Sequence, residues 1–327
     1  MDIYQLLSDL EQADPEFLDR ISPRRRAFKY LGHAGKKITA AAVPAVLASF
    51  FNRAYGQTTT LPANVVAVLD LALQLEYLEY YFYNTALNTP GVVPSADVAA
   101  VTTIFNDEAG HIASLRSIAG FTPRADPGRS AFDYSGGSGS GTGPLAAALV
   151  PGNAGVFYGA AQGFSDTGVR AYKGGAPVLN TTATKDILEA ALNIHSVEAR
   201  HNSHFRTIRR GLAANVSGAG AATAAAVSPF DNAPKSWISL LDNGGPVLPS
   251  GAHPAAAVYN AGNPATGTPD ASYPAENNTS QASVNLTTLN TAYTAQAVSE
   301  AFDEPLDATT VKSIARMFVT AQSGLFQ

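Results

Sequence analysis

Residues 64–87 read NVVAVLDLALQLEYLEYYFYNTAL, a pattern that predicts a strong helix. Pro62 at its entrance and Asn88-Thr89-Pro90-Gly91 at its end frame that helix. A second helix is predicted from about Ser95 to Ala119, stopped by Gly120, with Val98, Val101, Ile104, Phe105, Ile112, Leu115 and Ile118 as its apolar stripe. Residues 121–144 carry Gly, Ser and Pro throughout and predict a long connection. Their glycines do not form a phosphate loop, because no Gly-Lys-Ser/Thr follows. A third, weaker helix is predicted over about 154–173. A fourth runs from about Thr182 to Leu212, with Ile187, Leu188, Ala191, Ile194, Phe205, Ile208 and Leu212 on one face. Four helices with one long connection between the second and third have the layout of a bundle with a crossover. Beyond 213 the composition turns to Pro, Gly and Asn, and helix returns only near 292–302 and 307–320. Residues 213–327 therefore read as a loop-rich extension with short helices, packed on the bundle.

Two of these stripes are interrupted. The second helix steps from Ile104 and Phe105 to Leu115 through Glu108 and His111, and the fourth from Ile194 to Phe205 through Glu198 and His201. Each pair is Glu-x-x-His, a spacing that puts both side chains on one helix face. With 6 histidines and 10 glutamates in 327 residues, chance supplies roughly 0.2 such pairs. Placing a carboxylate and an imidazole in a core is costly unless they are paired or bound to metal.

The two pairs lie 90 residues apart, and the same shift carries Glu76 of the first helix onto Asp166 of the third. Each of these acids precedes its Glu-x-x-His by 32 residues. The chain thus reads as two helix pairs, each offering a carboxylate and then Glu-x-x-His, the ligand set of di-metal carboxylate bundles. The expected metal ligands are Glu76, Glu108, His111, Asp166, Glu198 and His201. Two divalent cations neutralise the four carboxylates, and neutral imidazoles complete the coordination. The alternative is a buried, hydrogen-bonded polar cluster. Glu79 does not match the repeat; one turn on from Glu76, it stands as a further ligand, a supporting group or a solvated side chain. Asp is one methylene shorter than Glu, so Asp166 requires a close third helix, which Gly159 and Gly163 permit, or binding through a single oxygen. Otherwise one metal is left out. Tyr80, one turn from Glu76, is the candidate to support a ligating carboxylate, whereas Tyr77, Tyr81 and Tyr83 read as packing. His195 and His204 rotate off the face by about 60° per step of three and read as hydrogen-bonding or surface groups.

The helix LQLEYLEYYFYNTAL, the two Glu-x-x-His helices and DTGVRAYKG together resemble the ferritin-like proteins grouped with plant desiccation-related proteins and their bacterial exported relatives. The resemblance covers about 57–212, and SEAFDEP at 299–305 is similar as well. It implies an all-α, ferritin-like four-helix bundle with a di-metal site, and no established reaction.

The first 56 residues have a different character. SPRRRAFKYLGHAGKK is basic, ITAAAVPAVLASFF is an apolar stretch of 14 residues, and NRAYGQ follows. This is the layout of a signal peptide, and Arg25-Arg26-Ala27-Phe28 resembles the twin-arginine export motif. A cut near Gly56 leaves Gln57 first and places the protein in the periplasm or cell envelope; the alternative is an amphipathic helix that stays attached. No apolar run reaches the roughly 20 residues of a membrane-spanning helix. A net charge of −5 argues against nucleic-acid binding, which needs clustered Lys and Arg. The absence of cysteine excludes disulfides, thiolate metal sites, iron–sulfur clusters and cysteine nucleophiles.

Two functions fit these residues. One is an exported di-metal oxidoreductase using iron or manganese on small oxygen species, with a catalase-like reaction favoured because it needs no electron donor. The other is a non-catalytic stress-related scaffold, homo-oligomeric or bound to envelope components, whose metal site is structural or vestigial.

Overall fold

Pro62, with φ of −56°, leads into helix α1, Ala63–Leu87. Every residue from Leu71 to Glu79 is buried, so α1 is enclosed on all sides, as a helix apolar around its circumference must be. In this computed structural model, which describes residues 60–214, 258 and 273–327, three more long helices complete the bundle. They are α2, Val98–Arg116, α3, Ala154–Leu179, and α4, Lys185–Ala214. α1 packs against α2 and α3, and α3 against α4. The leader-like segment 1–56 lies outside the described residues, as does most of 215–272. Among the described residues, no helix is long and apolar enough to cross a membrane.

Helix α3 runs past the predicted end near 173, through Gly174, Gly175 and Pro177, to Leu179. Glycine in a helix costs up to about 1 kcal/mol, which is why the pair reads as a terminus. Packing explains Gly174: a Cβ there would lie 2.0 Å from the Leu306 carbonyl oxygen. The Leu306 amide donates to the Arg170 carbonyl at 3.2 Å. The C-terminal segment therefore lies backbone to backbone on α3.

The connection from α2 to α3 is folded rather than slack. Asp133 accepts backbone N–H bonds from Ser135, Gly139 and Gly141 at 3.0, 2.8 and 3.1 Å. Gly139 and Gly141 sit at φ of 87° and 69°, a left-handed backbone that glycine adopts without steric cost. Phe132 bridges Val319 in antiparallel fashion, tying the connection to the C-terminal tail.

The C-terminal part carries the expected short helices, α5 (Ala295–Glu300) and α6 (Ala308–Ala315), each capped by a side chain, Thr294 and Asp307. It also carries two short strands the pattern did not predict, β1 (Ser280–Gln281) and β2 (Val284–Asn285). Their turn residues, Ala282 and Ser283, both have positive φ but lack the Asn-Gly signature of such hairpins. Val311, Ile314, Phe318 and Phe326 join the core of the bundle, and the Phe326 amide donates to Gln74 Oε1 at 2.5 Å. Arg170, 1% exposed, pairs with Glu276, approaches Asp303 at 3.7 Å and donates to the Glu304 carbonyl. DTGVRAYKG and SEAFDEP, far apart in sequence, thus meet at one buried arginine.

Candidate metal centre

The apolar stripes of α2 and α4 turn Glu108, His111, Glu198 and His201 inward, all at most 8% exposed. α1 adds Glu76 and Glu79, at 2% and 4%. Glu76, Glu108, His111 and Glu198 each offer a ligand atom, and these atoms lie within 4.8 Å of one another. His111 Nδ1 is 2.9 Å from Glu76 Oε2 and 3.2 Å from Glu108 Oε2. His201 faces the same carboxylates from the other side, its Nδ1 3.2 Å from Glu108 Oε1 and 3.7 Å from Glu198 Oε2. The two imidazole centroids are 6.2 Å apart.

Glu79 borders this group. Its Oε2 accepts from the Tyr83 and Ser165 hydroxyls, both at 3.3 Å. Tyr172 donates to Glu76 Oε1 at 2.5 Å. His201 Nε2 is held by Asp107 Oδ2 at 3.1 Å, which places the ring proton on Nε2 and leaves Nδ1 as an inward lone pair in the neutral imidazole.

Asp166 is not brought to the cluster. Its carboxylate is bound by Arg206 at 2.6 Å and by Gln162 at 3.1 Å, and it is fully buried. α3 instead turns Ser165, Gly168 and Tyr172 to the site, the i, i+3, i+7 face of a helix. Asp166 is rotated from Ser165 by about 100°. A Cβ at Gly168 would meet Glu198 in ordinary van der Waals contact at 3.4–3.5 Å, so α3 packs directly on the Glu198 side chain there. Tyr80 also lies elsewhere, stacked on Phe105 at 4.9 Å. Tyr172, Tyr83 and Asp107 were not singled out as site residues. Tyr172 and Tyr83 have a signal in hindsight, helical spacing from Ser165 and from Glu79, but Asp107 is a neighbour of Glu108 that sequence alone does not mark.

Electrostatics match this crowding. Burial, then the charges of Glu198, Glu108 and Glu76, pushes Glu79 well above the usual carboxylate range. Burial raises Glu76 to about 8 against the pull of His111, and burial and Glu108 raise Glu198. Burial also acts to raise Glu108, but His111 and His201 outweigh it and hold that carboxyl low. Burial acts to lower both histidines and is outweighed, by Glu76 and Glu108 at His111 and by Asp107, Glu108 and Glu198 at His201, so both are raised. The cluster is short of positive charge.

Residues 64–210 match the family model of the ferritin-like domain. This part of the chain is a ferritin-like domain. No curated protein and no solved structure matches the chain. In this ferritin-like domain, Glu108 Oε1, both Glu198 carboxylate oxygens and His201 Nδ1 are buried and make no hydrogen bond of good geometry among the described residues, although His201 Nδ1 and Glu108 Oε1 face each other at 3.2 Å. Unsatisfied buried acceptors of this kind are costly. A cation between them satisfies all four, so the residues present fit a metal ion, and the buried Glu/His cluster can hold one.

Proposed function

We propose that the cluster binds two divalent metal ions, iron or manganese, and that the ferritin-like domain uses them to turn over hydrogen peroxide. The four convergent, unsatisfied lone-pair atoms carry this reading. Oxygen donors with imidazole suit iron and manganese. Glu76, Glu108, His111 and Glu198 would hold one ion, and Glu79 and His201, with Glu108 and Glu198, would hold the other. Glu79 thus fills the role the repeat assigned to Asp166, and four carboxylates again balance two divalent charges.

When bound, the metal pair supplies reversible electron transfer to a small oxygen species. The chain supplies the rest. Asp107 holds the proton of His201 on Nε2, keeping Nδ1 free to ligate. Tyr172 and Tyr83 orient Glu76 and Glu79 by donating to one oxygen of each. Glu79 holds a proton in the metal-free protein and gives it up on metal binding. In the overall reaction one peroxide gives up two electrons and two protons and leaves as dioxygen; a second takes them and leaves as two waters. No outside donor is needed, which suits a chain with no cysteine for a sulfur-ligated iron donor.

Metal analysis of the protein from its own compartment tests the reading. Two equivalents of iron or manganese are expected, lost when Glu108→Ala and His201→Ala are combined, with dioxygen released from added peroxide only by the loaded form. A protein still metal-free after anaerobic reconstitution is a scaffold, and the proposal fails.

A further inference from the structure

Beside the cluster lies a partly open cavity of about 100 Å³. Ala72, Ser114, Val178, Ile187 and Ala191 are in its wall, so all four long helices contribute, and Leu306 and Val311 of the C-terminal segment complete it. Ala72 is one turn before Glu76, Ser114 one turn after His111, and Ala191 two turns before Glu198. None of the six clustered residues lines the cavity, but Tyr172 does, and its hydroxyl bonds Glu76. Among the described residues of the wall, only Ser114, Tyr172 and Tyr273 carry a polar side-chain atom.

We propose that this cavity holds dioxygen and passes it to or from the metal centre along Tyr172. Its role at the metal rests on the function proposed above; its occupancy by a small apolar guest does not. A water needs two to four polar partners to stay in a buried site, and apolar cavities of roughly 150 Å³ remain dry and take up xenon or benzene. Peroxide, a double hydrogen-bond donor, would lose its partners in such a wall. Pockets for organic substrates run from about 300 Å³ upward, which leaves too little room here for one. Dioxygen is the small oxygen species that is both apolar and small enough. In the peroxide reaction it is the product and leaves by this route. In oxidation of ferrous iron it enters: two Fe²⁺ give two electrons, and dioxygen takes them with two protons to leave as peroxide.

Xenon is the probe for the cavity. The metal-free full chain, pressurised in a crystal or followed by ¹²⁹Xe NMR, is expected to bind xenon beside Tyr172. Ala191→Phe fills the cavity from α4 and abolishes that site; Ala171→Leu fills it from α3 should the first variant fold poorly. No xenon in the wild type, or xenon retained in a folded filled variant, overturns the inference. In iron-loaded protein, the ratio of dioxygen-driven to peroxide-driven ferrous oxidation is expected to fall severalfold in the filled variant. An unchanged ratio removes the cavity's role in delivery even if xenon binds. Failure to load metal sinks the proposed function while the xenon result still decides the cavity.

Discussion

The exchange of Asp166 for Glu79 is open to direct test. Asp166→Ala leaves Arg206, 2% exposed, without the carboxylate that binds it at 2.6 Å. Breaking a buried pair by removing one partner costs about 3–5 kcal/mol. At roughly 2–4 °C per kcal/mol for a unit of this size, thermal unfolding of the chelator-treated protein falls by about 6–20 °C. Metal content, measured by mass spectrometry after reconstitution, stays at the wild-type level. Asp166→Leu with Arg206→Met removes both charges and recovers much of the loss, since replacing a whole buried pair by apolar groups is often neutral. Glu79→Gln gives the opposite pattern: metal content falls, while the metal-free protein keeps its stability, because the amide oxygen still accepts from Tyr83 and Ser165. The reasoning is refuted if Asp166→Ala loses metal while unfolding hardly moves, for Asp166 is then a ligand.

Three further outcomes follow from the same geometry. Glu76, raised from 4.5 to about 8, holds a proton in the native metal-free protein across an interval where the unfolded chain has released it. Stability therefore falls as pH rises from about 4.5 to about 8, and the raised histidines add to the fall above their ordinary 6.5; a melting series at pH 5.5 and pH 8, with and without metal, checks this, and metal should reverse the trend. Asp107→Ala frees His201 Nε2 and is expected to weaken metal binding by about 10–100-fold, read by competition with a chelator of known affinity. Gly174→Ala should destabilise the protein and open the C-terminal segment to limited proteolysis, although the same change in an exposed helix stabilises by up to about 1 kcal/mol, because the new Cβ falls on the Leu306 carbonyl.

Much of the site was legible because its information is local. Glu108 with His111, and Glu198 with His201, announce themselves by spacing on one helix and by breaking an apolar stripe. The long helices were legible for the same reason. Asp166 shows where that reading stops. The 90-residue repeat places α3 in register with α1, but the face a helix presents is set by its neighbours, and here Arg206 draws Asp166 away while Ser165, Gly168 and Tyr172 turn inward. Glu79 lies off the repeat, and only its bonds to Tyr83 on the same helix and to Ser165 on α3 show where it sits. The end of α3 lies beyond the one the sequence predicts, because a glycine needed for a close approach looks, in sequence, like one that ends a helix.

The buried arginine at 170 bears on what counts as one protein. The family match ends at residue 210, yet Arg170 finds its counter-charge at Glu276, and Phe318 and Phe326 sit in the common core. A fragment cut at the limit of the match would take away the carboxylates that pair with Arg170 and strip a wall from the cavity. The length of chain that matches the family and the length that completes its core are different.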